Sequence, residues 1–311
     1  MEKGTDKRSA GYNFGDTWCS GGFTLGEISN ICEIILSNYD VPAWPELLCF
    51  GENETLDGFW TQLYTQWLNP EGPRVQLDEA VAKRPGIKLF HSRFSGSPLN
   101  LIKGQMIGPA TLKWCLQKNK ISMGSNDHLV NFVVEAAIAQ IQILSKIAWN
   151  VVLCFDEPSA SFVPEVESLW RDVIVSLDKY RPYGIALHSC GEFKAQWLEW
   201  PWQVVHFDVN ECVNFSAKHP KDWRESFEKY FNRGSWLVSG VLSSSALAIE
   251  AFDPLLLNDF FDTVKGISNN QIMFSSTCGI DCKSETALVQ RLGEFGKISE
   301  LSKKINVKQL L

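Results

Sequence analysis

Four short segments of the chain carry residues suited to chemistry: Asp156-Glu157-Pro158, His188-Ser189-Cys190-Gly191, Asp208 with Glu211 close behind, and Thr277-Cys278-Gly279. Each follows a short apolar run of the kind that forms a buried strand. His188 and Cys190 are two residues apart, so in an extended segment their side chains share one face. A His and a Cys on one face can share a metal. A carboxylate from the next strand end and a thiolate from the last would complete a tetrahedral set of one nitrogen, two sulfurs and one oxygen, which suits zinc. Zinc would hold both cysteines as thiolates and lower the pKa of an incoming thiol, so the implied reaction is alkyl transfer to sulfur.

The same residues also have plainer readings. Buried cysteines mostly behave as small hydrophobes, and an acidic residue ahead of a proline is a common way to open a helix. Cys282 competes with Cys278 as a ligand but falls past the strand end. Cys154 and Cys212 read as core or loop residues, and His206 as a packed histidine. His91, His128 and His219 fit no pattern. On the functional reading, Asp156 or Glu157 grips a substrate ammonium, or the pair raises one carboxyl's pKa. Gly108 before Pro109, like Gly104 and Gly21-Gly22, lets a ligand or a neighbouring helix approach the backbone.

The elements that must position these groups alternate along the chain. Apolar runs over Ile87–Phe90, Leu101–Ile107, Val151–Phe155, Gly184–Leu187, Val204–Phe207, Trp236–Val241 and Gln271–Phe274 read as strands. Helical stretches are expected over Leu129–Ala148 (capped by Ser125 or Asn126), Val166–Lys179, Glu192–Trp200, Lys221–Phe231, Pro254–Lys265 and Ser284–Ser302. Strands separated by helices imply a parallel sheet. Six strands run from Leu101 onward; Ile87–Phe90 and the region around residues 12–24 supply the other two, giving a single-domain (β/α)8 TIM barrel over residues 16–311 after a flexible segment, 1–15. No Gly-x-Gly-x-x-Gly follows the first strand, which disfavours a doubly wound sheet. In a barrel, widely separated strand ends meet at one mouth.

Composition narrows the function. The 311 residues carry 29 Lys and Arg against 36 Asp and Glu, a net charge of −7, which disfavours a nucleic-acid partner. No apolar run reaches about 18 residues, and Met1–Gly15 has no apolar core, so neither a membrane span nor a signal peptide is expected. Nine cysteines, an odd and scattered set, read as reduced thiols of a cytoplasmic protein. Twelve tryptophans fit helix-to-sheet packing, with a flat organic ligand as the sharper alternative.

Taken in order from about Ile31 to Leu301, several segments resemble the catalytic domain of cobalamin-independent methionine synthases, within the uroporphyrinogen decarboxylase-like barrel superfamily. These are Val41-Pro42-Ala43-Trp44-Pro45, Lys103-Gly104-Gln105-Met106-Ile107-Gly108-Pro109-Ala110-Thr111-Leu112, Asp156-Glu157-Pro158, His188-Ser189-Cys190-Gly191, Phe207-Asp208 and Cys278-Gly279. The resemblance implies a (β/α)8 barrel and a catalytic zinc held by His188, Cys190, Asp208 and Cys278. Asp208 stands where the family has Glu, and Glu211 is the alternative. It also implies that Asp156 contacts the amino group of homocysteine, with Glu157 in support. The turn that holds the amino-acid carboxylate reads Trp18-Cys19-Ser20-Gly21-Gly22-Phe23 here, with Ser20 as the candidate contact. The chain has no room for the second barrel of the full synthases and resembles the short core type, for which a methylcorrinoid is the methyl donor. The expected function is therefore zinc-dependent transfer of a methyl group from methylcobalamin or a corrinoid protein to a small-molecule thiol, homocysteine giving methionine. Two alternatives stand beside it. One is a decarboxylase acting on an acidic tetrapyrrole, which would want arginines near the first strand, where the sequence offers Arg8. The other is a non-catalytic corrinoid- or methyl-carrier-binding protein, motivated by the altered first-strand turn.

Overall fold

The structure is a computed structural model describing residues 17, 19, 22–23, 31–47, 55–180, 184–244, 253–266, 271–280 and 284–310. The 1–15 segment, Ser20 and Cys282 lie outside the described residues. The first half of the chain runs β1 (Gly22–Phe23), α1 (Ile31–Asn38), β2 (Glu46–Leu47), α2 (Leu56–Leu68), α3 (Leu77–Ala82), α4 (Pro85–Phe94), β3 (Leu99–Ile107), α5 (Pro109–Lys118) and α6 (Asn126–Leu144). The second half runs β4 (Ala148–Asp156), α7 (Val166–Asp178), β5 (Gly184–Ser189), β6 (Val204–Asp208), α8 (Val209–Lys218), α9 (Pro220–Asn232), β7 (Trp236–Leu242), α10 (Pro254–Val264), β8 (Ile272–Ser276) and α11 (Glu285–Leu310).

Strands β3 to β8 form one parallel sheet in sequence order, the expected α/β pattern. Side chains alternate across it. One face packs on the helices in the large core; the other carries a separate buried cluster of Val41, Leu101, Val152, Cys154, Ala186, Val204, Trp236, Val238 and Met273. Strands buried on both faces read as unbroken apolar runs, which is why they were legible. Backbone contacts continue past both sheet edges. Thr17 bridges Phe274 of β8, and Ala43 bridges Lys103 of β3. Between those edge segments, the Cys19 N–H donates to the Val41 carbonyl at 3.0 Å and the Val41 N–H to the Thr17 carbonyl at 2.9 Å. Among the described residues, no helix is long and apolar enough to cross a membrane.

Two expected elements differ. Ile87–Phe90 lies inside helix α4, not in a strand. Its buried apolar side chains, Ile87, Phe90 and Phe94, follow a three- and four-residue spacing, and Pro85 opens the first turn. The segment that flanks β3 is instead 41–43, whose proline obscures any strand pattern. The helix expected over Glu192–Trp200 is a single 3-10 turn, Ala195–Glu199, because Pro201 holds Trp200 extended. Helix α8, which follows β6 directly, was not expected. The capping of α6 by Ser125 holds, with His128 completing a capping box.

The end of β4 is locked to the next layer by Glu157. Its carboxylate accepts hydrogen bonds from Ala110 N at 3.0 Å, Thr111 N at 2.7 Å and Trp170 Nε1 at 2.8 Å. An anion thus closes the N-terminus of α5, where free N–H groups converge. Gly108 is required there: a Cβ would lie 2.2 Å from the Glu157 carboxyl carbon. Glu157→Ala would strand three buried donors at about 1–3 kcal/mol each. We expect Glu157→Ala to lower the thermal midpoint by several degrees or more, and Glu157→Gln to lower it less; unchanged melting of both would contradict the clamp.

Candidate metal centre

His188 lies near the end of β5, Cys190 just past it, and Cys278 just past β8. Their ligand atoms all lie within 4.8 Å of one another. His188 is buried and both cysteines are half-buried, whereas Cys19, Cys32, Cys115, Cys154 and Cys212 are buried. The placement follows from the pleat. Ala186 faces the inner cluster, so His188, two residues on, faces the same side.

The three groups fit a zinc-type ion. Tetrahedral ligands at about 2.0–2.3 Å from a metal lie roughly 3.3–3.8 Å apart, inside the 4.8 Å limit that holds for all three ligand atoms here. The Nδ1 of His188 is buried with no hydrogen-bond partner. The two thiols are coupled. Hydrogen bonding from Cys190, and then from His188, holds the Cys278 thiol well below the ordinary thiol range. The thiolate so formed, together with burial, pushes the Cys190 thiol up. The pair therefore gives up one proton easily and keeps the second unless a cation is present.

Asp156 stands beside this set, paired in register with His188. It is buried, and desolvation raises its carboxyl pKa, opposed by Lys103 and His188. The Cys154 thiol donates to its Oδ1 at 3.7 Å. Asp208 and Glu211 are not brought to the trio. The Oδ1 of Asp208 accepts from Asn210 N at 2.8 Å at the start of α8, and Glu211 is exposed on that helix. Glu157 and Gly108 serve the α5 clamp. Cys212 belongs to the outer core and Cys154 to the inner cluster, as expected.

Three further residues near the site are absent from the candidate site set read from the sequence. Glu46 is buried at the start of β2, with its Oε1 3.3 Å from Nη2 of the buried Arg84, whose guanidinium lies 4.5 Å from the ring centroids of both Trp44 and Phe59. Burial pushes the Glu46 carboxyl up to about 7 against the pull of Arg84, and the charge of Asp156 adds to the rise. Lys103 is fully buried and donates to Gln105 Oε1 at 2.9 Å. His206, read as a packed histidine, is indeed fully buried, but it faces inward, its ring centroid 4.3 Å from that of His188. A Lys in the middle of the buried strand β3 was a readable anomaly; Glu46 and His206 depend on contacts made only in three dimensions.

No protein-family model matches the chain, and no curated protein does either. Among solved structures, it is similar to the B12-independent methionine synthase of Shewanella sp. W3-18-1 in complex with selenomethionine. The TM-score is 0.51 at 14% identity, over 76% of this chain and 70% of that one. A methyltransferase from Methanosarcina mazei matches at TM-score 0.41 and 17% identity, over 70% of this chain and 62% of that one, too distant to argue from. At this identity the first likeness carries the fold alone: the six-stranded parallel sheet has the arrangement of part of a TIM barrel.

In metal-free protein, one thiol of the Cys190–Cys278 pair should react with iodoacetamide at pH 6, well below the usual thiol midpoint of about 8.5. Because the lowered group is a thiolate below that midpoint, reactivity should persist as pH falls. Cys190→Ala removes the main donor and should shift the profile of Cys278 upward. A wild-type midpoint near the ordinary value would contradict the coupled pair.

Proposed function

We propose that this protein is a zinc-dependent methyltransferase acting on a small-molecule thiol, with homocysteine as the first substrate to consider. The observation that carries the reading is the convergence of His188, Cys190 and Cys278 within 4.8 Å at C-terminal strand ends, where α/β folds place their chemistry. We also propose that segments 17–19 and 41–43 are the first two strands of a (β/α)8 barrel running from residue 16 to 311. Their bridges to β8 and β3 support that closure.

The trio would hold zinc through one imidazole and two thiolates, leaving the fourth position open, as in catalytic rather than structural sites. When bound, zinc supplies a positive centre that favours the thiolate of a substrate. The chain's own residues do the rest. Asp156 faces the trio from the neighbouring strand and would accept a hydrogen bond from an amino-acid ammonium, and Glu46 adds negative charge nearby. Burial raises the Asp156 carboxyl pKa, and the charge of Lys103 opposes that rise. The selenomethionine bound by the Shewanella relative, a methylated selenium amino acid, agrees with a thiol amino acid as substrate.

An aromatic pair offers the donor a platform. Phe162, 66% exposed on the turn after β4, stacks on Trp114 of α5 with ring centroids 5.9 Å apart and 26° between planes. Lys118 Nζ lies 4.6 Å from the Trp114 ring. A flat, anionic methyl carrier suits such a surface. The metal trio acts on the thiol and selects no donor, so a methylcorrinoid and a methylated folate must both be tried.

Purified protein should contain about one zinc per chain, and Cys190→Ala and Cys278→Ala should each lose it. With homocysteine, the zinc-loaded protein should make methionine from methylcobalamin or from a methylated folate, and the two variants should not. Zinc binding without turnover on either donor would favour a carrier-binding protein. No zinc uptake would end the thiol-activation reading.

A further inference from the structure

His206 is placed to act on the metal centre without touching a metal. It pairs in register with His188 on the adjacent strand, and both side chains lie on the inner face, two residues beyond Val204 and Ala186 of the inner cluster. The rings lie 4.3 Å apart at 32°, so His206 forms one wall against which His188 rests. Its Nε2 is 2.9 Å from the carbonyl oxygen of Ser276. A carbonyl only accepts, so Nε2 carries the hydrogen.

That bond skips a strand. Ser276 is on β8, His206 is on β6, and β7 runs between them. Two features of β7 open the path. Gly240 has no side chain to fill the gap: a Cβ would lie 2.8 Å from Thr277 Cα and 3.3 Å from the Ser276 carbonyl oxygen. The β7–β8 ladder also slips between Gly240 and Leu242, where Ser276 pairs. Bulges of this kind re-aim a strand end beside a site. Ser276 Oγ in turn donates to the Cys278 carbonyl at 2.7 Å, fixing the turn that carries the thiol.

We propose that His206 is a positioning residue that ties the Cys278 end of β8 to His188 across β7, setting the spacing of the trio. The inference rests on the metal reading above. Groups that orient ligands in this way typically contribute about 10–100-fold in metal affinity.

The test is zinc affinity by chelator competition and the absorption spectrum of the cobalt(II)-loaded protein, for wild type, His206→Phe and His206→Gln. Phe keeps a ring against His188 but cannot donate to Ser276, and should lose roughly 10–100-fold in affinity with an altered cobalt–thiolate band. Gln retains an N–H donor and should lie nearer wild type in both readouts. Gly240→Ala, which disturbs the same bond from β7, should move affinity in the direction of Phe and covers the case in which Phe fails to fold. Equal affinities and superimposable spectra across the set would overturn the positioning role while leaving the metal site intact. A wild-type protein that takes up neither metal would overturn both.

Discussion

The pleat of a parallel strand sends every second residue to one face, and in this sheet that rule carries polar and ionisable groups into a dry interior. Lys103, Gln105, His206 and Ser275 are wholly buried, and Asp156 and His188 nearly so. Groups removed from water must be satisfied by one another or by something bound. Lys103 meets Gln105 and faces Asp156; Glu46 meets Arg84; His206 meets Ser276. Gln105 Nε2 and His206 Nδ1 stay without partners, and the trio of His188, Cys190 and Cys278 adds an unpartnered His188 Nδ1 and two thiols sharing a proton. At the trio that balance is unfinished. A divalent cation would complete it.

Charge bookkeeping inside the sheet points the same way. Two buried carboxyls, Asp156 and Glu46, both titrate above their ordinary ranges, because burial outweighs their cationic neighbours. Such a pair welcomes additional positive charge, whether from a substrate ammonium or from a metal nearby. Glu157, adjacent in sequence to Asp156, points to the other face and is absorbed by α5. One residue of the Asp-Glu-Pro segment is thus free for chemistry and its neighbour is structural, a division that the strand's two-residue period imposes.

The period was also what made the site legible. His188-Ser189-Cys190 announces two ligands on one face, and Cys278 sits at the matching end of the last strand. Position in a motif does not report reach: Asp208 shares the inner side of β6, but its carboxylate turns to the start of α8 and is not grouped with the trio. Six strands were readable because both faces are apolar. The segment 41–43 was not, since its proline masks an extended segment that meets β3 through the isolated bridge of Ala43. Ile87–Phe90 misled because a run of four apolar residues fits either period until its neighbours are counted. Glu46 and His206 gain meaning solely from partners far along the chain.

The most direct test of the central claim is X-ray absorption at the zinc edge of the metal-loaded protein. The account predicts two sulfur neighbours at about 2.3 Å with the remaining ligands nitrogen or oxygen, falling to one sulfur in any Cys190→Ser or Cys278→Ser protein that retains zinc. A first shell of nitrogen and oxygen alone, or one unchanged by either substitution, would contradict it.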